Sequence, residues 1–370
     1  MRRTTVGIVQ EYVPQYRVAF FSGLVDTLGE RGIDCVVIAG SPAGSQAVRG
    51  DSRTAVPWLR DAEPRRLAVG KRSIYIYGTQ RHWSDCDGVI MQLRGISLDL
   101  NAELLRKGLS GRRVGVWGHI KPFVAEGNQI DLAIERRQMR RSDHVFAYTE
   151  SGAEAAVAAG VDSSSVTCVM NSTDVSALLA AYQGISPGAS ARFEREKGLV
   201  PGKAFGWIGG LDAAKRVSFL VDVLDRLWEL DPEIKLVVGG RGDEEHLLTP
   251  AVARGQAVLL GFVGDEEKAL IFKSCQTLLN PGRVGLIAVE CQALQIPILT
   301  TDWPFHAPEY EYLIEGQDLF VSPNTVEGYT RLVLDRARGR LTTSSHRVCG
   351  YPTLEQMTQN FARGVCAMMG

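Results

Sequence analysis

Residues 278 to 294, LLNPGRVGLIAVECQAL, form an apolar run that breaks at Asn-Pro-Gly-Arg and then resumes with helical character. That punctuation predicts a strand, a tight turn and a helix. A helix start presents unpaired N–H groups and the positive end of its dipole, so a turn of Gly282, Arg283, Val284, Gly285 and Leu286 suits an anion. The Arg283 guanidinium adds a fork that can pair with two oxygens of such an anion. Glu290 follows, set among Leu286, Ile287, Val289 and Leu294. A carboxylate in such surroundings needs hydrogen-bond partners, and hydroxyl groups are suitable donors.

Other chemistry-bearing residues stand just after apolar runs. GGRGD at residues 239–243 places Gly240, Arg241 and Gly242 after one such run, although a Gly-x-Gly turn also serves as a plain connection. VWGHIKPF puts His119 beyond another, where a lone histidine also fits a structural role. QEYVPQYR offers Glu11, Tyr12, Gln15 and Arg17, with Arg17 equally suited to capping the following helix. Asn171 in NSTD fits an ordinary turn as well as a ligand contact. Two further signals carry no role. Asp85-Cys86-Asp87 immediately precedes a strand and reads as a turn, and ERRQMRR at residues 135–141 reads as the solvated face of a helix.

The elements that must position these residues alternate along the whole chain. Predicted strands are TVGIVQ, IDCVVIAG, DGVIMQL, RRVGVWG, DHVFAYT and SVTCVM in the first half, then AFGWIGG, IKLVVGG, AVLLGFV, TLLNP, PILTT and DLFVS. Helical periodicity lies between them: Phe20, Phe21, Leu24 and Leu28 share one face, as do Val217, Leu220, Val221, Leu224, Leu227 and Trp228. The pattern predicts two doubly wound parallel-sheet domains of α/β class. Residues 1–180 form the first and 203–345 the second, with 181–202, rich in Gly, Ser and Pro, as the linker. Residues 351–370 read as one more helix. In such folds ligands gather at the carboxyl ends of strands.

Composition narrows the function class. The chain has 370 residues, 45% hydrophobic and 22% charged, which suits a globular protein with two cores. Forty-one basic against forty-two acidic residues leave a formal charge of −1. That balance does not call for nucleic acid. Seven scattered cysteines, without C-x-x-C or metal spacing, point to a reducing cytoplasm. No apolar run reaches the roughly 20 residues of a spanning helix, so membrane contact would be peripheral. The first strand lacks the glycine fingerprint of a nicotinamide dehydrogenase.

In order and spacing, GWIGGLDAAKRVSFLVDVLDRL, IKLVVGGRGDEEHLL, VLLGFVGDEEKALIFKSCQTLLNPGRVGLIAVECQALQIPILTTD and HAPEYEYLIEGQDLF resemble the family 4 glycosyltransferases. VPQYRVAFFSGLVDTL, VGVWGHIKPF, AYTESGAEAAVAAGV and VMNSTD extend the resemblance into the first half. It implies the GT-B fold, two Rossmann-like domains facing a central cleft, with the last helix joining the first domain. It also implies transfer of a sugar from a nucleotide diphosphate donor to a hydroxyl acceptor, with retention, no bound metal and no cofactor. Donor contacts are then Gly209, Gly210, Lys215, Arg241, Gly242, Arg283, Val284, Gly285, Leu286 and Glu290, the last on the ribose. His119 and Lys215 are the implied catalytic residues, and Glu11, Tyr12, Gln15 and Arg17 are acceptor-side candidates. Two positions depart from the family pattern: Gly210 replaces an arginine and Gly282 a glutamate. A sugar-nucleotide-binding protein without transferase activity and a sugar-nucleotide epimerase remain open as alternatives.

Overall fold

A computed structural model of the chain describes residues 2–42, 55–62, 65–69, 72–76, 80–120, 129–343 and 350–370. Its contacts divide it into two compact units. One holds the described residues up to Asp174 together with Pro352–Gly370, and the other runs from Val175 to Tyr351.

The first unit contains β1 (Thr4–Tyr12), β2 (Ile33–Gly40), β3 (Leu59–Asp61), β4 (Arg65–Val69), β5 (Arg72–Ile76), β6 (Gly88–Gln92), β7 (Arg113–Gly118), β8 (His144–Ala147) and β9 (Val166–Cys168). Seven of these make a parallel sheet in the order β3-β2-β1-β6-β7-β8-β9, and β4 and β5 pair as an antiparallel hairpin. The central strands are buried along their length, so they read as apolar runs rather than alternations. The core around Phe20, Trp117 and Phe146 is completed by the last helix, Leu354–Met369. Its Phe361 stacks on Phe146 with ring centroids 4.5 Å apart and meets Trp117 edge-on at 5.0 Å. Thr353 and Gln356 close a capping box at its start.

The second unit contains β10 (Ala204–Ile208), β11 (Lys235–Gly239), β12 (Ala257–Gly261), β13 (Leu278–Leu279), β14 (Ile298–Thr301) and β15 (Leu319–Ser322), parallel in the order β12-β11-β10-β13-β14-β15. The twelve strands read from sequence are therefore all present, together with three short ones, β3 to β5, that the periodicity did not reveal.

Two expectations change. Residues 181–202 are not a bare linker: helices Ser176–Gly184 and Pro187–Lys197 occupy most of them and pack on the Asp265–Cys275 helix. Lys273 lies over the Tyr182 ring at 3.8 Å, and Ser190 meets Ser274 at 3.3 Å. These helices leave little trace of apolar periodicity because Leu178 is the one fully buried side chain in the pair. On the Val217–Leu230 helix Val223 is buried instead of Val221 and Trp228, which are half-covered. Trp228 instead packs beneath the Arg254 guanidinium.

Candidate functional site

Strand order in the second sheet reverses between β10 and β13. The connections leaving these neighbouring strands diverge, which opens a crevice beyond their carboxyl ends. A cavity of about 270 Å³ lies there. Its walls are Ile208 to Gly210 after β10, Gly239 to Arg241 after β11, Phe262 and Val263 after β12, and the side chains of Lys215, Lys268, Ile287 and Glu290.

Glycines let three loops cross at this point. Gly240 has φ 157°, and a Cβ added to it would lie 1.9 Å from the Gly209 carbonyl oxygen. Only glycine permits that approach. Gly242 meets the Leu211 backbone in the same way, at 2.2 Å. The crossing is laced by the Leu211 N–H donating to the Arg241 carbonyl at 3.0 Å. After GGRGD the chain makes a 3-10 turn at Glu245–Leu248 and then the short helix Thr249–Ala253.

Gly282 is the second close approach. A Cβ there would sit 2.5 Å from the Lys215 carbonyl carbon, 2.6 Å from its oxygen and 2.8 Å from the Ala214 oxygen. Backbone occupies the space a glutamate would need. The Arg283 N–H donates to the Ala214 carbonyl at 3.0 Å, and Lys215 Nζ donates to the Arg283 carbonyl at 2.5 Å. The turn at Ala213–Lys215 and the segment after β13 thus form one unit that places the Lys215 ammonium at the cavity.

The cavity charges are Lys215, Arg241 and Lys268 against Glu290, an excess of cations suited to an anionic ligand. Lys268 Nζ donates to Glu290 Oε1 at 2.7 Å, with side chains 22% and 15% exposed. Among the described residues, Glu290 Oε2 is buried without a hydrogen-bond partner. A carboxylate with one oxygen held and the other open can accept a hydroxyl donor brought by a ligand, and leaving that oxygen unsatisfied is costly.

Behind the turn, His306 is 7% exposed and stacks on Tyr310 with centroids 4.0 Å apart. Its Nδ1 accepts from the Val284 N–H at 3.2 Å, which leaves Nε2 as the protonated nitrogen facing the Thr301 carbonyl at 3.2 Å. Burial holds its pKa down to about 4, with Lys215, Arg216 and Arg283 pushing the same way. His306 is therefore a neutral wedge that fixes the turn. Burial also lowers the pKa of Arg283, while the Glu309 and Asp212 carboxylates oppose that shift.

Of the donor-side candidates, Gly209, Gly210, Lys215, Arg241 and Glu290 line the cavity. Gly242 packs on the Leu211 backbone, Gly285 faces Ala307, and Leu286 is the half-buried N-cap of the Ile287–Leu294 helix. Val284 is fully buried, with its N–H committed to His306. Arg283 acts at the cavity through its carbonyl on Lys215, and its half-buried side chain is not part of the wall.

The remaining candidates belong to the first unit. His119 is exposed just past β7, edge-on to Tyr148 at 4.5 Å. Glu11 and Tyr12 end β1, and Glu11 pairs with Arg94 at 3.6 Å. Gln15 is exposed in the 3-10 turn at Gln15–Arg17. Arg17 does not fit an acceptor-contact role: it is 6% exposed, bonded to Asn171 Oδ1 and the Ser172 carbonyl, with its guanidinium near the rings of Phe20 and Trp117. Asn171, 1% exposed, is held by that same contact. Asp85 and Asp87 form the expected turn, tied to Arg60 and to the Thr5 N–H. Among the described residues no cluster of His, Cys, Asp or Glu is arranged for a metal, and no helix is long and apolar enough to cross a membrane.

Sequence reasoning missed Lys268, Phe262 and His306. Phe262, 69% exposed, is an aromatic face at the cavity wall. The signal was an aromatic directly after β12 in GFVG. Lys268 and Glu290, twenty-two residues apart, left no local trace of their pairing.

Residues 202–336 match the family model for Glycosyl transferases group 1. The phosphatidyl-myo-inositol mannosyltransferase of Mycobacterium leprae is 30% identical over 107 residues, which span 27% of this chain and 29% of that protein. Among solved structures, Anabaena HepE in complex with UDP and glucose superposes with a TM-score of 0.64 at 13% identity, covering 99% of this chain and 100% of that one. The lipopolysaccharide outer core galactosyltransferase WaaB gives 0.63 at 14%, covering 98% and 99%. UDP-GlcNAc 2-epimerase from Methanocaldococcus jannaschii gives 0.56 at 11%, covering 99% of each chain. At these identities the likeness establishes the fold, the GT-B arrangement of two parallel-sheet domains.

Proposed function

We propose that this GT-B chain, whose residues 202–336 are a glycosyl transferases group 1 domain, transfers a sugar from a nucleotide diphosphate donor to a hydroxyl acceptor. The observation that carries this reading is Glu290: one oxygen is fixed by Lys268, and the other is buried and, among the described residues, unpartnered beside a cavity rich in cations. A ribose hydroxyl supplies the missing donor. Phe262 offers the base a face to stack on. Lys215 and Arg241 meet the diphosphate and stabilise the charge that develops as it departs. That charge compensation lets the reaction proceed without a metal, and the leaving phosphate itself takes the acceptor proton, with retention at the anomeric carbon. UDP is the first nucleotide to test, because the Anabaena HepE structure holds UDP and glucose.

A second reading, a binding protein without transfer, draws support from Gly210 and from the closed space at Gly282. Thermal shifts against UDP-, GDP-, dTDP- and ADP-sugars test the site first. A shift confined to one nucleotide class and lost in Lys215→Ala and Glu290→Ala is expected, while no shift with any donor sinks the proposal. Glycosyl product from the shifting donor then separates transfer from mere binding, and epimer formed without acceptor would identify an epimerase instead.

A further inference from the structure

A second concavity of the second unit lies between the helices Val217–Leu230 and Val326–Ala337, and it shares no lining residue with the donor cavity. Its volume is about 580 Å³, within the roughly 300–1,000 Å³ of small-molecule sites. Along the second helix Glu327, Thr330, Arg331, Leu334, Asp335 and Arg338 recur at three- and four-residue spacing, so they share the face that lines this groove. A helix ordinarily makes such a face apolar and turns it into the core. Here Thr330 and Leu334, 3% and 8% exposed, form the floor, and charged side chains stand around them.

Thr330 is the first sign of a missing partner. A threonine inside a helix can satisfy its hydroxyl on the carbonyl one turn back, as Thr358 does with Leu354 at 2.9 Å. Among the described residues, Thr330 Oγ1 is buried without any hydrogen-bond partner. Leaving a buried hydroxyl unmade is costly.

The arginines are the second sign. Arg226, Arg331, Arg338 and Arg340 line the groove against the carboxylates of Glu327 and Asp335, an excess of cations. Arg226 pairs with Glu229, and Arg340 pairs with Asp335 at 3.1 Å. Arg338 and Arg340 also follow the end of the helix, where a cation complements the dipole. Neither reason covers Arg331. It stands in mid-helix with Glu327 and Asp335 one turn to either side, yet among the described residues it makes no ion pair.

We propose that this groove binds the phosphate group of a small, hydroxyl-bearing molecule. Arg331 and Arg338, two turns apart on one face, meet the phosphate with their guanidinium forks, and the Thr330 hydroxyl donates the hydrogen bond it otherwise lacks. Glu327 accepts from the ligand's hydroxyls, while Leu230 and Leu334 cover its carbon skeleton. An acidic peptide laid over the rim would meet the exposed arginines but would not reach Thr330, so the buried hydroxyl selects a small molecule.

Titration calorimetry of the full-length chain with glycerol 2-phosphate tests the site, with neutral glycerol as the comparison. The ester is expected to bind saturably and glycerol not to bind. Arg331→Gln with Arg338→Gln should weaken binding by about tenfold or more. Both side chains are exposed, so the melting temperature should stay unchanged. Thr330→Val should weaken binding by about threefold to tenfold and keep or raise the melting temperature, because it removes a hydroxyl that has no partner. A purely structural Thr330 would show the opposite, lower stability with unchanged affinity. The donor cavity is cationic too, so Lys215→Ala is the control and should bind the ester as the wild type does. Absence of wild-type binding at millimolar ester overturns the proposal, as does undiminished binding by the arginine variant. Loss of binding in Lys215→Ala would move the phosphate to the donor cavity and overturn it as well.

Discussion

Replacing Gly282 with alanine tests the packing that places Lys215. The new methyl carbon would fall 2.5, 2.6 and 2.8 Å from three backbone atoms of Lys215 and Ala214, so no rotamer change relieves the contact. Overpacking of this kind costs about 1–3 kcal/mol. The loop must also part, which weakens the Arg283 N–H bond to Ala214 and the Lys215 bond to the Arg283 carbonyl, each worth about 1 kcal/mol. The sum, about 2–4 kcal/mol, should lower the melting temperature of the second unit by roughly 5–15 °C. Nucleotide affinity should fall as well, because the ammonium leaves the cavity wall. Gly285→Ala is the internal control. Its methyl would meet the Ala307 Cβ at 3.6 Å, an ordinary contact, so stability should stay level or rise by up to about 1 kcal/mol. Circular dichroism melts and titration calorimetry with the responding nucleotide read both effects. If Gly282→Ala melts with the wild type, or the two alanines behave alike, the close-approach reasoning fails.

Other perturbations probe the remaining contacts. Lys268→Met strands Glu290 in partly buried surroundings and should cost about 1–3 kcal/mol, and Glu290→Gln added to it should recover part of that loss. Absence of coupling in the urea midpoints of this double-mutant cycle would reduce the pair to a surface contact. His306 titrates at about 4 in the folded chain and ordinarily near 6.5, so the unfolded chain takes up its proton first. Its share of stability should be present above about pH 6.5 and be lost as pH falls toward 4; melts of wild type and His306→Gln across that window check this, the variant showing the shallower fall. His144, held at about 4 by burial, adds to the slope in both proteins. Arg17→Met should destabilise the first unit by about 2–3 kcal/mol, since Asn171 and the Ser172 carbonyl lose a charged donor, and should leave nucleotide affinity unchanged. An affinity loss in that folded variant would return Arg17 to the ligand-contact residues.

Local pattern alone was sufficient for twelve of the fifteen strands, the two-domain α/β class and the glycine turn at Asn280–Leu286, because alternation, apolar runs and chain breakers are properties of neighbouring residues. Glu290 was legible for the same reason: an acid inside an apolar helical stretch advertises a need for partners. Which partner it takes was decided by tertiary structure, since Lys268 reaches it from a different helix. The same holds for Arg17, whose type and position suit a loop contact until folding brings Asn171 and Trp117 around it. Gly282 is the sharpest division. Its sequence position shows that an acid is missing relative to the family pattern, yet only the approach of the Lys215 backbone explains why no side chain fits there. Contacts between residues distant in the chain depend on how crossing loops share space, and that geometry has no periodicity for a sequence to display.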